Sequence, residues 1–181
     1  VHRCSANIMG GGIGCVADIS VPLYMGVNPL FICNEVYNCT APDGGGMAFM
    51  DDGQSFAIGN KVHDNFATNS GGGVHFYKSG NYFIANSVFK NSTNGNGGGI
   101  STNEAGKVIM GANYIANNTS PNNGGGIYVT NGGMMPPVIV WNRIIGNTAT
   151  MDGGGIFVDK EADAAILMNM PIKGNTAFRG G

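Results

Sequence analysis

The sequence predicts an all-β solenoid of stacked parallel coils. Three observations predict it: glycine triplets that recur with a near-constant spacing, an Asn six residues before each triplet from Gly44 onward, and short alternating apolar runs with no stripe at helical spacing. Triplets begin at Gly10, Gly44, Gly71, Gly97, Gly124 and Gly153, and the chain ends on Gly180-Gly181, giving spacings of 34, 27, 26, 27, 29 and 27. A period in the twenties marks a unit that cannot bury its apolar face alone, so successive units stack. At about 27 residues per coil, 181 residues make six to seven coils in a single domain, 1–181.

The first strand of each coil follows the glycines, where Val74-His75-Phe76-Tyr77 and Ile127-Tyr128-Val129-Thr130 alternate with period two. A second run precedes an Asn, as in "SFAIGN", "NYFIAN" and "PVIVWN", and a third lies between that Asn and the next. Three short strands per coil are therefore expected. One Asn column stands six residues before the triplets: Asn38, Asn65, Asn91, Asn118 and Asn147. A second stands five residues earlier at Asn60, Asn86, Asn113 and Asn142; in the last repeat Met170 takes that slot, and Asn175 precedes the final glycines by five. Stacked amides can hydrogen-bond from coil to coil, and Asn tolerates the left-handed backbone of bends, so the columns are read as structural. The triplets are read as corners needing φ > 0, with the middle glycine, Gly125 for example, at the bend.

The phrase apolar-x-x-Asn, a few small polar residues, then Gly-Gly-Gly-Ile resembles the repeat of the polymorphic outer-membrane (Pmp-like) proteins, which pairs Phe-x-x-Asn with Gly-Gly-Ala-Ile. Here Gly replaces the Ala, and Val or Ile usually replaces the Phe. The resemblance covers nearly the whole chain. It implies a right-handed parallel β-helix of the pectin-lyase-like type, an extracellular or cell-surface setting and an adhesive or stalk role. It brings no catalytic residue.

Composition narrows the partners. With 11% charged residues and a net charge of −2 there is no basic stripe for nucleic acid or anionic lipid. No apolar stretch approaches the ~20 residues of a membrane span. The opening "VHRCSANIMGGG" lacks the pattern of a signal peptide. No terminal cap is legible, so the chain is expected to be an excerpt continued by neighbouring sequence, or a subunit stacking end to end into a filament.

If Ile100, Ile127 and Ile156 point inward, their successors point outward, and His75, Tyr77, Tyr128 and Phe157 form an exposed candidate ligand face, with a host-surface protein or a glycan as the partner. Cleavage of a polysaccharide needs a paired acid and base, whereas this face offers Asp159 alone, so the leaning is away from an enzyme. His2, His63 and His75 share no metal spacing, and no cofactor is implied. The sequons at Asn38, Asn91, Asn117 and Asn118 are read as by-products of the repeat. The long first repeat is expected to project a loop around 17–29, with Tyr24 and Met25 as a contact surface. Cys4, Cys15, Cys33 and Cys39 all fall in the first 39 residues. An even count in an exported chain favours disulfides, Cys4 with Cys39 and Cys15 with Cys33 among three connectivities, against the alternative of buried reduced thiols. The function expected is a non-catalytic extracellular structural or adhesive β-helix; the alternatives are a module that binds or cleaves polysaccharide and a filament subunit.

Overall fold

The computed structural model describes residues 1–16, 29–50, 54–104, 107–130 and 135–181. The contact loop proposed around Tyr24 and Met25 lies outside them. Every strand pairing within the described residues is parallel, and four sheets run along the rod. The first sheet stacks the strands after the glycines, among them Met47–Met50, Val74–Tyr77, Ile100–Asn103 and Ile127–Thr130. The second includes Phe56–Ile58, Tyr82–Ile84 and Ile109–Gly111, and the third Lys61–His63, Ser87–Phe89 and Tyr114–Ala116. The fourth includes Phe66–Ser70, Ser92–Thr93 and Thr119–Ser120.

Each coil thus has four strands, not three. The missed strand shrinks to two residues in the middle coils, with one side chain turned inward at Thr93 and Ser120, so it shows no alternation to read. Among the described residues the sheets hold six, six, six and five strands, placing the stack between five and six coils, fewer than the six to seven expected.

The core is a set of columns. Val36, Val62, Val88, Ile115 and Ile144 stack behind the third sheet, and Met47, Val74, Ile100 and Ile127 behind the first, all with no exposed surface. In the second sheet Ala57 stands between Phe31 and Phe83, and the ring volume it lacks is supplied from across the interior. Phe49 and Phe76 stack at 5.2 Å, with Phe31 and Phe83 edge-on to them at 5.7 Å.

Two amide ladders hold the corners flanking the third sheet. Asn60 Nδ2 donates to Asn86 Oδ1 and to the Phe31 carbonyl, both at 2.9 Å, while the Asn60 backbone N–H donates to the same Asn86 oxygen at 2.8 Å. The unit repeats through Asn86, Asn113 and Asn142, and in the other ladder through Asn65, Asn91, Asn118 and Asn147, all 0 or 1% exposed. Ladder membership corrects the reading in two places. Asn142 donates to Asn169, not to a partner at Met170; the extra residue falls between Asn169 and Asn175, where the Met170-Pro171 bond is cis. Asn38 is not in the ladder either. A register shift between Ala41 and Asp43 puts Cys39 in the slot, its backbone N–H donating to Asn65 Oδ1 at 3.0 Å. Asn38 is instead an exposed corner residue at φ 54°. The sequons divide accordingly: Asn38 and Asn117 are exposed, Asn91 and Asn118 buried.

Candidate functional site

The glycine corner shapes the site. It is the first glycine of each triplet, not the middle one, that takes positive φ: Gly71 at 65° and Gly124 at 65°. Gly125 is required for another reason. A Cβ there would lie 2.5 Å from the Gly154 carbonyl oxygen and 2.6 Å from that of Thr148, so adjacent coils touch backbone to backbone. A Cβ on Gly71 would meet His75 Cβ at 3.1 Å, and one on Gly124 would meet Tyr128 Cβ at 2.8 Å. The chain entering the corner therefore folds back beside the outward column of the first sheet.

That folding back corrects the expectation of an exposed face. His75 is 5% exposed and Tyr128 7%, because the column forms the floor of a trough and not an open surface. Along the rod the floor runs Gly14, Ala48, His75, Ser101, Tyr128, Phe157. A groove of about 280 Å³ lies over His75 and Ser101 on this floor. Met9, Asp43 and Ser70 form one wall, and Met50, Tyr77, Asn103 and Thr130 the other. Further along, the floor is filled: Tyr128 stacks on Phe157 at 5.8 Å, and its hydroxyl donates to Asp159 at 3.0 Å. Of the four residues expected on the face, His75 and Tyr77 line the groove, whereas Tyr128 and Phe157 are not among its lining residues.

Two floor atoms are buried without a partner, His75 Nδ1 and Ser101 Oγ, on neighbouring strands in register. Such atoms cost free energy unless something else supplies a hydrogen bond. Burial pushes the His75 pKa down, and the nearby Asp43 carboxylate only partly opposes this, so the ring is neutral at neutral pH. Sequence reasoning missed the wall of Met9, Asp43 and Ser70. Its signal was present, because each stands immediately before the first glycine of a triplet. The same column continues as a short polar ladder, in which the Asn123 backbone N–H donates to Asn96 Oδ1 at 3.0 Å.

None of the four cysteines is joined in a disulfide, so neither expected bridge is present. Cys15 pairs in register with Phe49 on the first sheet, while Cys33 sits at an exposed corner at φ 54°, following the second sheet. Cys4 and Cys39 do stand together, since the Ser5 to Thr40 bridge places them on adjacent coils. Parallel neighbours are about 4.8 Å apart, within the Cα range a disulfide accepts, yet the two thiols are not joined. Burial, the largest influence, pushes the Cys39 thiol pKa up.

A parallel β-solenoid with a polar groove beside its glycine corners is the class this geometry defines. Within that class, residues 31–179 match the model of the NosD family, described as periplasmic copper-binding protein, and the chain belongs to that family. The family is one of right-handed parallel β-helices related to the pectin-lyase-like folds and is periplasmic, outside the cytoplasm in the broad sense; the Pmp-like resemblance is not confirmed by it. Searches of curated proteins and of solved structures gave no match. No helix of the described residues is long and apolar enough to cross a membrane.

Copper can be tested against the donors present. Among the described residues no three His, Cys, Asp or Glu side chains converge, which does not suit a tetragonal copper(II) site. Soft donors fit copper(I): the thiols of Cys4 and Cys39, and the thioethers Met9 and Met50 beside His75.

Proposed function

We propose that this domain is a non-catalytic adhesive scaffold working outside the cytoplasmic membrane, and that the groove over His75 holds a hydroxyl-rich ligand, a ring of a glycan chain. The observation that carries the reading is the pair of buried, unpartnered floor atoms, His75 Nδ1 and Ser101 Oγ, at the base of a groove with polar walls. A sugar hydroxyl both donates and accepts, so it satisfies a neutral imidazole nitrogen and a serine hydroxyl together. The volume of about 280 Å³ suits one ring, not a buried oligosaccharide. Asp43 is the one carboxylate among the described lining residues, and hydrolysis of a glycosidic bond uses two.

Isothermal titration of the chain against soluble plant and microbial polysaccharides tests this. At least one should bind without release of reducing ends, and His75→Ala should weaken that binding about tenfold, the worth of one lost hydrogen bond. Absence of binding across the panel, or binding indifferent to His75→Ala, would refute the groove assignment.

A further inference from the structure

The second amide ladder changes chemistry at its first two steps. From Asn65 to Asn147 each slot holds an amide that donates to the next coil, but Cys39 and then Cys4 occupy the same slots at the start. Cys39 keeps the backbone bond to Asn65 Oδ1, and its thiol donates instead to the Tyr37 carbonyl at 3.3 Å; the Cys4 thiol donates to the His2 carbonyl at 3.4 Å. Both bonds are local and weak. Giving up a ladder amide forfeits strong hydrogen bonds, and it happens here on two successive coils.

We propose that the thiols of Cys4 and Cys39 together bind one copper(I) ion between the first two coils, a site independent of the groove over His75. The spacing of about 4.8 Å between coils is within the Cα range a disulfide accepts, yet the two thiols are not joined. The same spacing suits two metal–thiolate bonds of about 2.3 Å each set in line. Two sulfur donors without a third ligand suit a soft monovalent ion, whereas zinc takes four ligands and finds no such group among the described residues. Cys39 is 1% exposed, but Cys4 is half-buried, so the ion reaches the pair from solvent without crossing the core. As each sulfur bonds to the ion, its proton passes to water; two protons leave per ion, and the bound dithiolate unit carries a charge of −1.

The test is anaerobic titration of the reduced full chain with copper(I) supplied as its acetonitrile complex, in competition with bicinchoninate, with proton release followed by a pH indicator. One ion per chain should be retained, with two protons released. Cys4→Ser and Cys39→Asn should each weaken retention about a hundredfold or more. Cys39→Asn also extends the amide ladder, so its thermal melt should match or exceed the parent and separate loss of copper from loss of fold. Cys33→Ser should change nothing. Three results would each overturn the site: unaltered retention in Cys39→Asn, loss of copper in Met50→Leu but not in the cysteine variants, or a Cys4–Cys39 disulfide in the purified protein.

Discussion

Two kinds of corner turn this chain, and they solve the same backbone problem differently. At the corners beside the third sheet the residue before the ladder position takes positive φ, yet it is Asp64, Ala85, Lys90, Asn117 or Trp141 as readily as Gly59 or Gly146. The non-glycine side chains stand in solvent, and the buried Asn behind each one binds three backbone or amide partners. At the corner before the first sheet the bend is as sharp, with Gly71 at 65° against Gly59 at 67°, but the chain folds onto the floor column and the neighbouring coil, leaving no volume for a Cβ. A positive φ alone does not demand glycine. Lack of space does, and the same lack of space builds the trough that holds His75.

The largest effect should come from filling the tightest point. Gly125→Val puts atoms onto the Thr148 and Gly154 carbonyls of the next coil and should forfeit most of the fold's stability, with loss of the cooperative thermal melt. Next is the ladder. Asn118→Ala strands the Asn91 backbone N–H and amide, which donate to Asn118 Oδ1 at 3.0 Å, and the Val88 carbonyl, which accepts from it at 3.0 Å. A cost of about 3–5 kcal/mol is expected, read as a lowered urea midpoint. At the tolerant corners the effect should be small and of opposite sign: Trp141 is 61% exposed at φ 56°, so Trp141→Asn should gain about 0.5–1 kcal/mol.

Much of this was legible because the repeat writes the same steric rule several times. The triplet spacings are the register offsets of the first sheet, and all eight predicted ladder residues from Asn60 to Asn147 are buried as columns. What was hidden falls where one residue changes the count. The register shift near Asp43 moved the ladder slot from Asn38 to Cys39, and an extra residue before Asn175 moved it from Met170 to Asn169. The fourth strand carries one inward residue in its shortest copies, too few to show a period. The floor column was placed on the correct side of the sheet and still misjudged, since its burial depends on the fold-back of a wall that local alternation does not encode. Only His75 and Tyr77 of the candidate face were found in the groove.

The trough side also predicts a pH response that the ladder side lacks, because the ladders contain no titrating group in their Asn steps. His75 is held below its ordinary pKa of 6.5 by burial. The unfolded chain therefore binds a proton before the folded one as pH falls below about 6.5, and stability should drop toward acid pH. Melts at pH 7 and pH 5 should show this, and His75→Gln should reduce the difference. An unchanged difference would assign it to other groups.

The contrast between the corners is tested most directly by placing the same small side chain at two glycines of equal φ. Gly59→Ala adds a Cβ whose nearest neighbour is Cys33 Sγ at 3.4 Å, an ordinary contact, so it should cost only the left-handed strain, about 1 kcal/mol or roughly 2–4 °C. Gly71→Ala adds a Cβ against the Val74 carbonyl and the His75 Cβ, so its melting temperature should fall several times further. Equal losses for the two variants would mean that φ, and not space, sets the glycine triplets, and would contradict the account of how the groove is formed.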